Sequence, residues 1–469
     1  MALQTPAHYY RLCRLVVHEY RCMAARQPHR NRADAPTGSR VRASGAEMTS
    51  SMADPAPATK PLRVLLSEGS STSAREAVTV LGLSGHIVEI CDPSRYCLAR
   101  FSRFVRKFHR CPGLRDDPAG FLAFVERLLS SGQFDVLLPT HEQGFLFACV
   151  RQRLEACAGL ALPSFESYRI AHSKARFSRL LGELGLPQPA TRIVTSVDEL
   201  RAAVRFPCVI KTAVGTASRG VWLVRDDNAV EAALRELGAS GTFANEVLVQ
   251  DFVAGTAEKA QAVFCRGELL GFHAYRQIAL GVGGGEAIKD SVTRPQVRAH
   301  LAAIGTKLAW HGALSVDYMM PDDGVSPLLI DCNPRLVEPM AAFLAGVDLV
   351  GLLLQVSQGG APAAAPQGRD GVRTHLAMQA LLGCASRGGT RRDIFRECRR
   401  LLAGSGAYAE STEELTPVRL DWLGAVPLAM TALFLLAAPG LSVALARRGW
   451  GAHLLDIGSI RRIESEDFH

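Results

Sequence analysis

Two apolar runs in the second half of the chain carry acidic and amide side chains that could bind a divalent cation. Asp317 lies in the first run, and Asp331, Asn333 and Arg335 alternate along the second. Because side chains alternate between the faces of a strand, the last three share one face, and a neighbouring strand would bring Asp317 alongside. Such oxygens are hard ligands that suit Mg²⁺ beside a triphosphate, while Arg335 could hold a phosphoryl or carboxylate group. Since two buried carboxylates are costly without a cation, the pattern predicts a metal site at Asp317, Asp331 and Asn333.

A lysine and a loop of small residues precede these acids. Lys211 ends a predicted strand, and the segment from Gly215 to Gly220 is mostly small, with Ser218 inside it. Small side chains let backbone N–H groups approach phosphate oxygens that Cβ atoms would obstruct, and the lysine adds a point charge. We therefore predict that Lys211, Gly215, Ser218 and Gly220 contact a phosphate group. By itself, the loop is also compatible with a plain flexible hairpin.

An apolar strand follows at residues 246–253, and an acid, Glu258, lies just beyond a turn. Backbone groups of an extended segment can bind the edge of an adenine ring, and a carboxylate nearby could hold ribose hydroxyls. The alternative is an ordinary strand with solvated acids.

Four further polar residues could serve an acceptor substrate. Arg276 and Arg294 flank the glycine-rich loop at residues 281–286 and could bind a substrate carboxylate, or they could be solvated arginines beside a surface loop. Glu338, just after the metal run, could be an acid–base group or a charge at the start of a helix. His273 is interpreted as a hydrogen-bonded strand histidine rather than a catalyst.

The elements that must position these residues alternate at first between strand and helix. From Arg63 to Pro139, short apolar strands end in polar residues and are followed by helical spacing, which predicts a parallel sheet flanked by helices. Beyond Ser173, strand-like runs come in pairs joined by tight turns, which predicts antiparallel hairpins in an α+β domain. The predicted regions are a disordered basic tail, the parallel-sheet domain, the hairpin domain, a linker with helices and an apolar C-terminal tail, at residues 1–60, 61–165, 166–358, 359–415 and 416–469.

Composition excludes several classes of protein. The 469 residues include 53 Lys and Arg against 45 Asp and Glu, a net charge of +8, and 48% are hydrophobic, which excludes a fully disordered, collagen-like or coiled-coil chain. No stripe of basic residues interleaved with aromatics follows the N-terminal tail, so we expect no nucleic-acid partner. The 12 cysteines occur singly, which favours reduced thiols in a cytoplasmic protein.

An uncharged apolar segment, residues 423–446, lies near the end of the chain. Its 24 residues could span a bilayer, but Pro427 and Pro439 interrupt the segment. Three alternatives stay open: a helix packed on the protein, a segment lying in a membrane surface, and a true span. The predicted cytoplasmic location therefore includes the option of membrane association through this segment.

The order of the motifs resembles that of one superfamily. A protein kinase places its glycine loop before the lysine, whereas Lys211 precedes the glycines here, and the sequence contains neither a G-x-x-x-x-G-K-[ST] loop nor a G-x-G-x-x-G after Leu66. Lysine, glycine loop, apolar strand, acid and then D-x-N-P-R, which ends at Arg335, is the order of the ATP-grasp superfamily. The chain resembles this superfamily at residues 63–353 and is most similar to its biotin carboxylase and carbamoyl-phosphate synthetase branch.

The resemblance implies a Rossmann-like domain over residues 61–165 and a two-subdomain ATP-grasp domain over residues 166–358, an α/β and α+β fold with a helical C-terminal tail. It implies ATP and Mg²⁺ or Mn²⁺ as cofactors. For the nucleotide, it assigns Lys174 and Lys211 to the phosphates, Gln250, Asp251 and Val253 to adenine, and Glu258 to ribose. It assigns Asp317, Asp331 and Asn333 to the metal, and Arg335 to the transferred group. Family members often carry glutamate where this chain has Asp251, Asp317 and Asp331, a departure that could shift the metal geometry.

The implied reaction is the ATP-dependent joining of a carboxylate to an amine. Phosphoryl transfer to a carboxylate makes an acyl phosphate, whose phosphate is a far better leaving group than oxide. The expected partners are a small-molecule carboxylate and a small-molecule amine, and homodimer formation stays open. The alternative is a non-catalytic ATP- or effector-binding ATP-grasp module, with or without a membrane tether.

Overall fold

The structure is a computed structural model and describes residues 60–215, 220–239, 246–322, 326–415, 419–448 and 453–465. The chain divides into two units, residues 1–61 and residues 62–469. The tail predicted at residues 1–60 lies outside the described residues except for Lys60. All elements below belong to the second unit.

The first sheet has four parallel strands in the order β3-β2-β1-β4. Val64, Leu65 and Leu66 of its central strand are fully buried, because helices cover both faces of a parallel sheet. The strands are β1 (Arg63–Leu66), β2 (Ile87–Asp92), β3 (Val105–Arg110) and β4 (Val136–Leu138), and the helices are α1 (Thr72–Leu83), α2 (Pro118–Leu129), α3 (Gln143–Cys149) and α4 (Arg151–Glu155). The predicted parallel sheet with flanking helices is confirmed.

A helix pair and a second sheet follow. The helices are α5 (Phe165–His172) and α6 (Lys174–Glu183), and Ser173 between them accepts the backbone N–H of Arg176, which begins α6 at Lys174. The sheet is antiparallel in the order β5-β8-β6-β7. Its strands are β5 (Thr191–Val194), β6 (Cys208–Thr212), β7 (Val221–Val224) and β8 (Val247–Asp251), with helices α7 (Val197–Ala203) and α8 (Asp227–Ala239). Lys211 pairs with Val221, so the predicted β6–β7 hairpin is confirmed.

The third sheet has seven strands in the order β13-β12-β9-β10-β11-β14-β15, antiparallel except for the last pair. The predicted β9–β10 hairpin is confirmed, and it turns at Arg266 and Gly267, whose φ angles are 48° and 95°. The strands are β9 (Gly255–Cys265), β10 (Glu268–Leu280), β11 (Glu286–Val292), β12 (Gly312–Pro321), β13 (Leu328–Asn333), β14 (Arg373–His375) and β15 (Thr412–Glu413), with helices α9 (Pro295–Lys307), α10 (Pro339–Leu344) and α11 (Leu349–Ser357).

The C-terminal region adds five helices: α12 (Ala377–Ser386), α13 (Arg391–Ala403), α14 (Ala425–Ala437), α15 (Ser442–Arg448) and α16 (Ile457–Ser465). The apolar segment forms α14 and α15 with a break at Pro439, and Leu435 of α14 is fully buried in a cluster with Leu381, Leu382 and Ile394. Within the described ranges, no helix is long and apolar enough to cross a membrane. Through Leu435, α14 packs on the protein, as the first of the three alternatives predicted.

The C-terminal region also returns to the first sheet. Arg75 of α1 and Asp421 form an ion pair at 3.0 Å, and both side chains are fully buried. Asp421 also accepts the hydroxyl of Ser102, and Arg169 of α5 pairs with Glu464 of α16 at 2.8 Å. These contacts tie residues after 420 to elements near the start of the unit.

The largest apolar core lies between the first sheet's helices and the seven-stranded sheet. It contains fully buried aromatic side chains from both, and Tyr168 stacks on Trp310 with ring centroids 6.2 Å apart. The cysteines among the described residues are free thiols. This core holds the first sheet against β9 and β12, the strands that carry the predicted acids.

Candidate functional site

A cavity of about 390 Å³ collects most of the residues predicted from sequence. Its walls come from the antiparallel β6–β8 region, from the seven-stranded sheet and from the start of α1. The predicted residues in the walls are Lys174, Lys211, Gly215, Gln250, Asp251, Val253, Glu258, Asp317, Asp331, Asn333 and Arg335. Residues more than 150 positions apart in sequence, such as Lys174 and Arg335, therefore face one space.

The two predicted metal-binding carboxylates lie side by side. Asp317 of β12 is directly opposite Asp331 of β13 in the strand register. Oδ1 of Asp317 is buried and has no hydrogen-bond partner among the described residues. Burial raises the pKa of Asp317, and the neighbouring Asp331 carboxylate adds to this effect. An unpaired buried carboxylate oxygen beside a second carboxylate and the amide of Asn333 fits a hard divalent cation.

Two lysines supply positive charge to the same space. Nζ of Lys174 lies 2.7 Å from Oδ2 of Asp331 and donates to the carbonyl oxygen of Gly215 at 3.0 Å. Nζ of Lys211 donates to the carbonyl oxygen of Ile330 at 3.1 Å and has no carboxylate partner among the residues that the structure describes. Burial and the nearby Lys174 ammonium lower the pKa of Lys211 to about 8. A buried cation without a counter-ion is poised to bind an anion.

Arg335 reaches the cavity in a different way from the one predicted. β13 ends at Asn333, so a turn, and not strand alternation, carries Arg335 to the cavity wall. Its backbone N–H donates to the carbonyl oxygen of Asn333 at 2.8 Å, which tightens that turn. The guanidinium lies 3.4 Å from Oδ1 of Asn333, so it stays close to the predicted metal ligands.

The predicted ribose acid is held by neighbouring side chains. Glu258 accepts two hydrogen bonds from Arg294, at 2.8 Å and 2.6 Å, and a third from the hydroxyl of Tyr318 at 2.8 Å. The predicted substrate arginines do not enter this cavity: Arg294 is bound to Glu258, and Arg276 is half-exposed and lies 3.6 Å from Asp290.

The remaining predicted residues divide into three groups. Ser218 lies outside the described residues. Gly220 is described, with a φ of 71°, and a Cβ there would lie 2.3 Å from Oγ1 of Thr212, so this position requires glycine, but it is not in the cavity wall. Gln250, Asp251 and Val253 line the wall where β8 ends, which is where an adenine edge was predicted.

A set of buried charges in and just behind the cavity wall was not predicted from the sequence. Lys259 of β9 faces Asp317 across the sheet and pairs with Glu286 at 2.8 Å. Although burial opposes it, the Asp317 and Glu286 carboxylates raise the pKa of Lys259. Lys259 was detectable as a lone cation in an alanine-rich apolar strand, a position that needs a partner.

A second buried lysine is surrounded by acids. Lys289 of β11 lies 2.6 Å from Glu338 and 2.9 Å from Glu414, and all three are buried. Burial raises the pKa of Glu338 to about 8, with Glu414 and Glu286 adding to the rise while Lys289 opposes it. Glu338 lines the cavity and precedes α10, but its side chain binds Lys289 and does not cap that helix. Glu338 thus stands at the start of the helix without capping it, and its acid–base role stays a prediction.

Among known proteins, no family model matches the chain. The carbamoyl phosphate synthase large chain of Clostridium acetobutylicum is 25% identical over 211 residues, which are 42% of this chain and 19% of that protein. The chain thus spans about a fifth of the length of the curated relatives it matches first.

Solved structures show the fold. An ADP complex of N5-carboxyaminoimidazole ribonucleotide synthetase superposes with a TM-score of 0.54 at 16% identity and covers 73% of this chain and 87% of that one. An L-amino acid ligase from Bacillus licheniformis superposes with a TM-score of 0.50 at 15% identity, covering 64% and 74%. The chain has the ATP-grasp fold, which confirms the predicted fold class and the resemblance.

Proposed function

We propose that the protein is an ATP-dependent ligase that activates a carboxylate as an acyl phosphate, with Mg²⁺ or Mn²⁺, for attack by an amine. The observation that carries the proposal is the cavity in which Asp317 and Asp331 lie side by side, close to Lys174 and Lys211. Charges of both signs that line one cavity suit a nucleotide triphosphate with its divalent ion. The names of the relatives, a carbamoyl phosphate synthase, a synthetase bound to ADP and an amino acid ligase, support the same chemistry.

The reaction needs positioning and charge neutralisation more than covalent work by the protein. The γ-phosphoryl group passes from ATP to a carboxylate oxygen and ADP leaves; the amine nitrogen then attacks the acyl carbon, and inorganic phosphate leaves with the C–O bond electrons. Lys211 would neutralise the phosphates, and Arg335 would hold the transferred group. Asp317, Asp331 and Asn333 would hold the divalent ion, which when bound neutralises charge on the triphosphate oxygens.

Glu338 is the group we assign to proton transfer. The attacking amine must lose a proton, and a base works best when its pKa lies near the working pH. Glu338 faces the cavity three residues after Arg335 and has a pKa of about 8. Its hydrogen bond from Lys289 fixes the carboxylate in place.

The test uses the full chain, because Asp421 and Glu464 pair with Arg75 of α1 and Arg169 of α5, and a form truncated before residue 421 would leave both arginines without these partners. ADP release is measured with Mg²⁺ and pooled small carboxylic and amino acids, and hydroxylamine is added to trap an acyl phosphate as a hydroxamate. We expect substrate-stimulated ADP release and hydroxamate, both lost in Asp331→Asn and kept in Asp198→Asn, a control at an exposed acid of α7.

Two outcomes contradict the proposal in different ways. ATP binding without stimulated ADP release in the wild-type protein would leave the non-catalytic ATP-binding module. Absence of ATP binding would remove the nucleotide assignment altogether. Mass spectrometry of products formed from the active pool identifies the two substrates.

A further inference from the structure

A second cavity, of about 280 Å³, lies on the seven-stranded sheet away from the first. Its floor is formed by β10 and β11, including Phe272 and Ser291. The start of α9 contributes Arg294 and Arg298 to the wall, and the segment before β14 contributes Arg369. The cavity therefore combines apolar side chains on its floor with guanidinium groups from two separate segments.

Two of these arginines, both exposed, have no ion-pair partner among the described residues. They are Arg298 and Arg369, and Arg369 donates to the backbone oxygen of Leu344 at 2.7 Å. The acids nearby are already engaged, because Glu258 binds Arg294 and Asp370 accepts the backbone N–H of Thr293 at 2.8 Å. The cavity thus carries a net positive charge that a bound anion would neutralise.

We propose that this cavity binds a small organic anion, a carboxylate or phosphate monoester with a compact apolar body, held by Arg298 and Arg369 above Phe272. Guanidinium groups bind both kinds of oxyanion through paired hydrogen bonds, so the two share one recognition chemistry. A volume of about 280 Å³ suits a ligand of the size of an amino acid or a substituted benzene ring. The apolar side chains of the floor favour an organic anion over a fully hydrated inorganic ion.

One side chain joins this cavity to the first. Arg294 lines the second cavity, and the carboxylate that it binds, Glu258, lines the first. An anion that draws Arg294 towards it leaves the Glu258 carboxylate free to accept hydrogen bonds from ribose hydroxyls. Binding of the anion therefore strengthens binding of the nucleotide, and the reverse. This second step rests on the proposed function, whereas binding of the anion does not.

A buried polar chain provides another connection. Nε2 of His273 lies 3.0 Å from the hydroxyl of Ser291, Nδ1 of His273 lies 3.3 Å from the amide of Gln261, and that amide donates to the backbone oxygen of Glu338 at 2.7 Å. Its members are buried and connect Ser291 to the loop that carries Glu338 through hydrogen-bond distances.

Direct binding is tested without nucleotide by titration calorimetry on the full chain. The probes are benzoate, phenyl phosphate and inorganic phosphate, with uncharged benzamide as the control for charge. We expect saturable binding of benzoate or phenyl phosphate, weaker binding of inorganic phosphate and none of benzamide. The ratio of the first two affinities decides between carboxylate and phosphate. The double variant Arg298→Gln/Arg369→Gln should weaken binding at least about tenfold, since a charge-assisted hydrogen bond contributes about 1.5–3 kcal/mol.

Arg399→Gln, at an exposed arginine of α13, is the matched control and should bind like the wild-type protein. Thermal unfolding of each variant verifies that the fold is retained. If no probe binds, or if the double variant binds as tightly as the wild-type protein, the anion site is refuted.

The coupling is tested by measuring ATP affinity with and without a saturating bound probe. We expect the probe to tighten ATP binding about fivefold or more, and ATP to tighten probe binding by the same factor, because coupling free energies are reciprocal. The double variant should keep the ATP affinity of the probe-free protein and lose the enhancement. If the probe does not change the ATP affinity, the coupling is refuted but the anion site is not. If ATP does not bind at all, the proposed function is refuted, and the titration of the probes is unaffected.

Discussion

Replacing Lys211 by methionine should change stability and nucleotide affinity in opposite directions. Lys211 is a buried cation whose pKa falls from 10.5 to about 8, and among the described residues its Nζ donates to the carbonyl oxygen of Ile330 alone. At pH 7 the charged Lys211 side chain therefore lowers the free energy of unfolding by about 3 kcal/mol, compared with a side chain that is neutral in both the folded and the unfolded chain. Methionine has nearly the same length and no charge, so Lys211→Met removes this cost and also the hydrogen bond, which contributes about 1 kcal/mol. We expect the free energy of unfolding to rise by about 2 kcal/mol.

The same substitution should weaken ATP binding by about 10- to 150-fold, which corresponds to about 1.5–3 kcal/mol for a lost charge-assisted contact. Urea unfolding and titration calorimetry at pH 7 measure the two effects. Lys107→Met, at an exposed lysine of β3, is the matched control and should change neither quantity by much.

The pH dependence gives a further check on the cause. Between pH 8 and pH 10.5 the unfolded chain still binds the proton that folded Lys211 has released, so wild-type stability gains with rising pH in this window. The stability advantage of Lys211→Met should therefore be largest at pH 8 and below and shrink towards pH 10.5. A variant that is less stable than the wild-type protein and binds ATP equally well would refute the assignment of Lys211 as a charge held ready for phosphate.

Three further substitutions test buried and partly exposed charges. Folded Glu338 keeps its proton up to about pH 8, whereas the unfolded chain loses it near pH 4.5, so wild-type stability is reduced as pH rises between these values. Glu338→Gln should gain stability relative to the wild-type protein from pH 5 to pH 8 in thermal unfolding, and a constant difference would contradict the burial of this carboxyl. Asp421→Ala leaves the guanidinium of Arg75 buried without its carboxylate and should lower the free energy of unfolding by about 3–5 kcal/mol. Glu464→Ala removes a partly exposed ion pair and should cost less than about 1 kcal/mol; equal effects of these two substitutions would be evidence against the packing of the C-terminal region on α1.

The parts of the site with a local pattern could be predicted from the sequence. Alternation along β12 and β13 placed Asp317 beside Asp331, and small residues after Lys211 marked a tight hairpin. Lys289 could not be assigned in this way, because its partners Glu338 and Glu414 come from segments 49 and 125 residues away. No periodicity in one strand specifies such pairings, which depend on how the sheets and the last region pack.

Short elements also escaped prediction. β14 has three residues and β15 has two, too few for an alternating pattern, and they extend the seven-stranded sheet from a region predicted to be a linker with helices. Arg276 and Arg294 were grouped by their closeness in sequence to the glycine loop. The register of β10 and β11 instead places Asp290 opposite Arg276, whereas Arg294, just after β11, pairs with Glu258 of β9.

Arg75 is synthesised long before its partner Asp421. On the ribosome, the first sheet can form its strands and α1 before the carboxylate that neutralises Arg75 exists. Burial of an unpaired guanidinium is unfavourable, so α1 is expected to reach its final position only after residue 421 has emerged. Completion of the first sheet and its helices is thereby coupled to synthesis of the segment around Asp421, and a nascent chain stalled before that residue would present α1 to chaperones in an unfinished state.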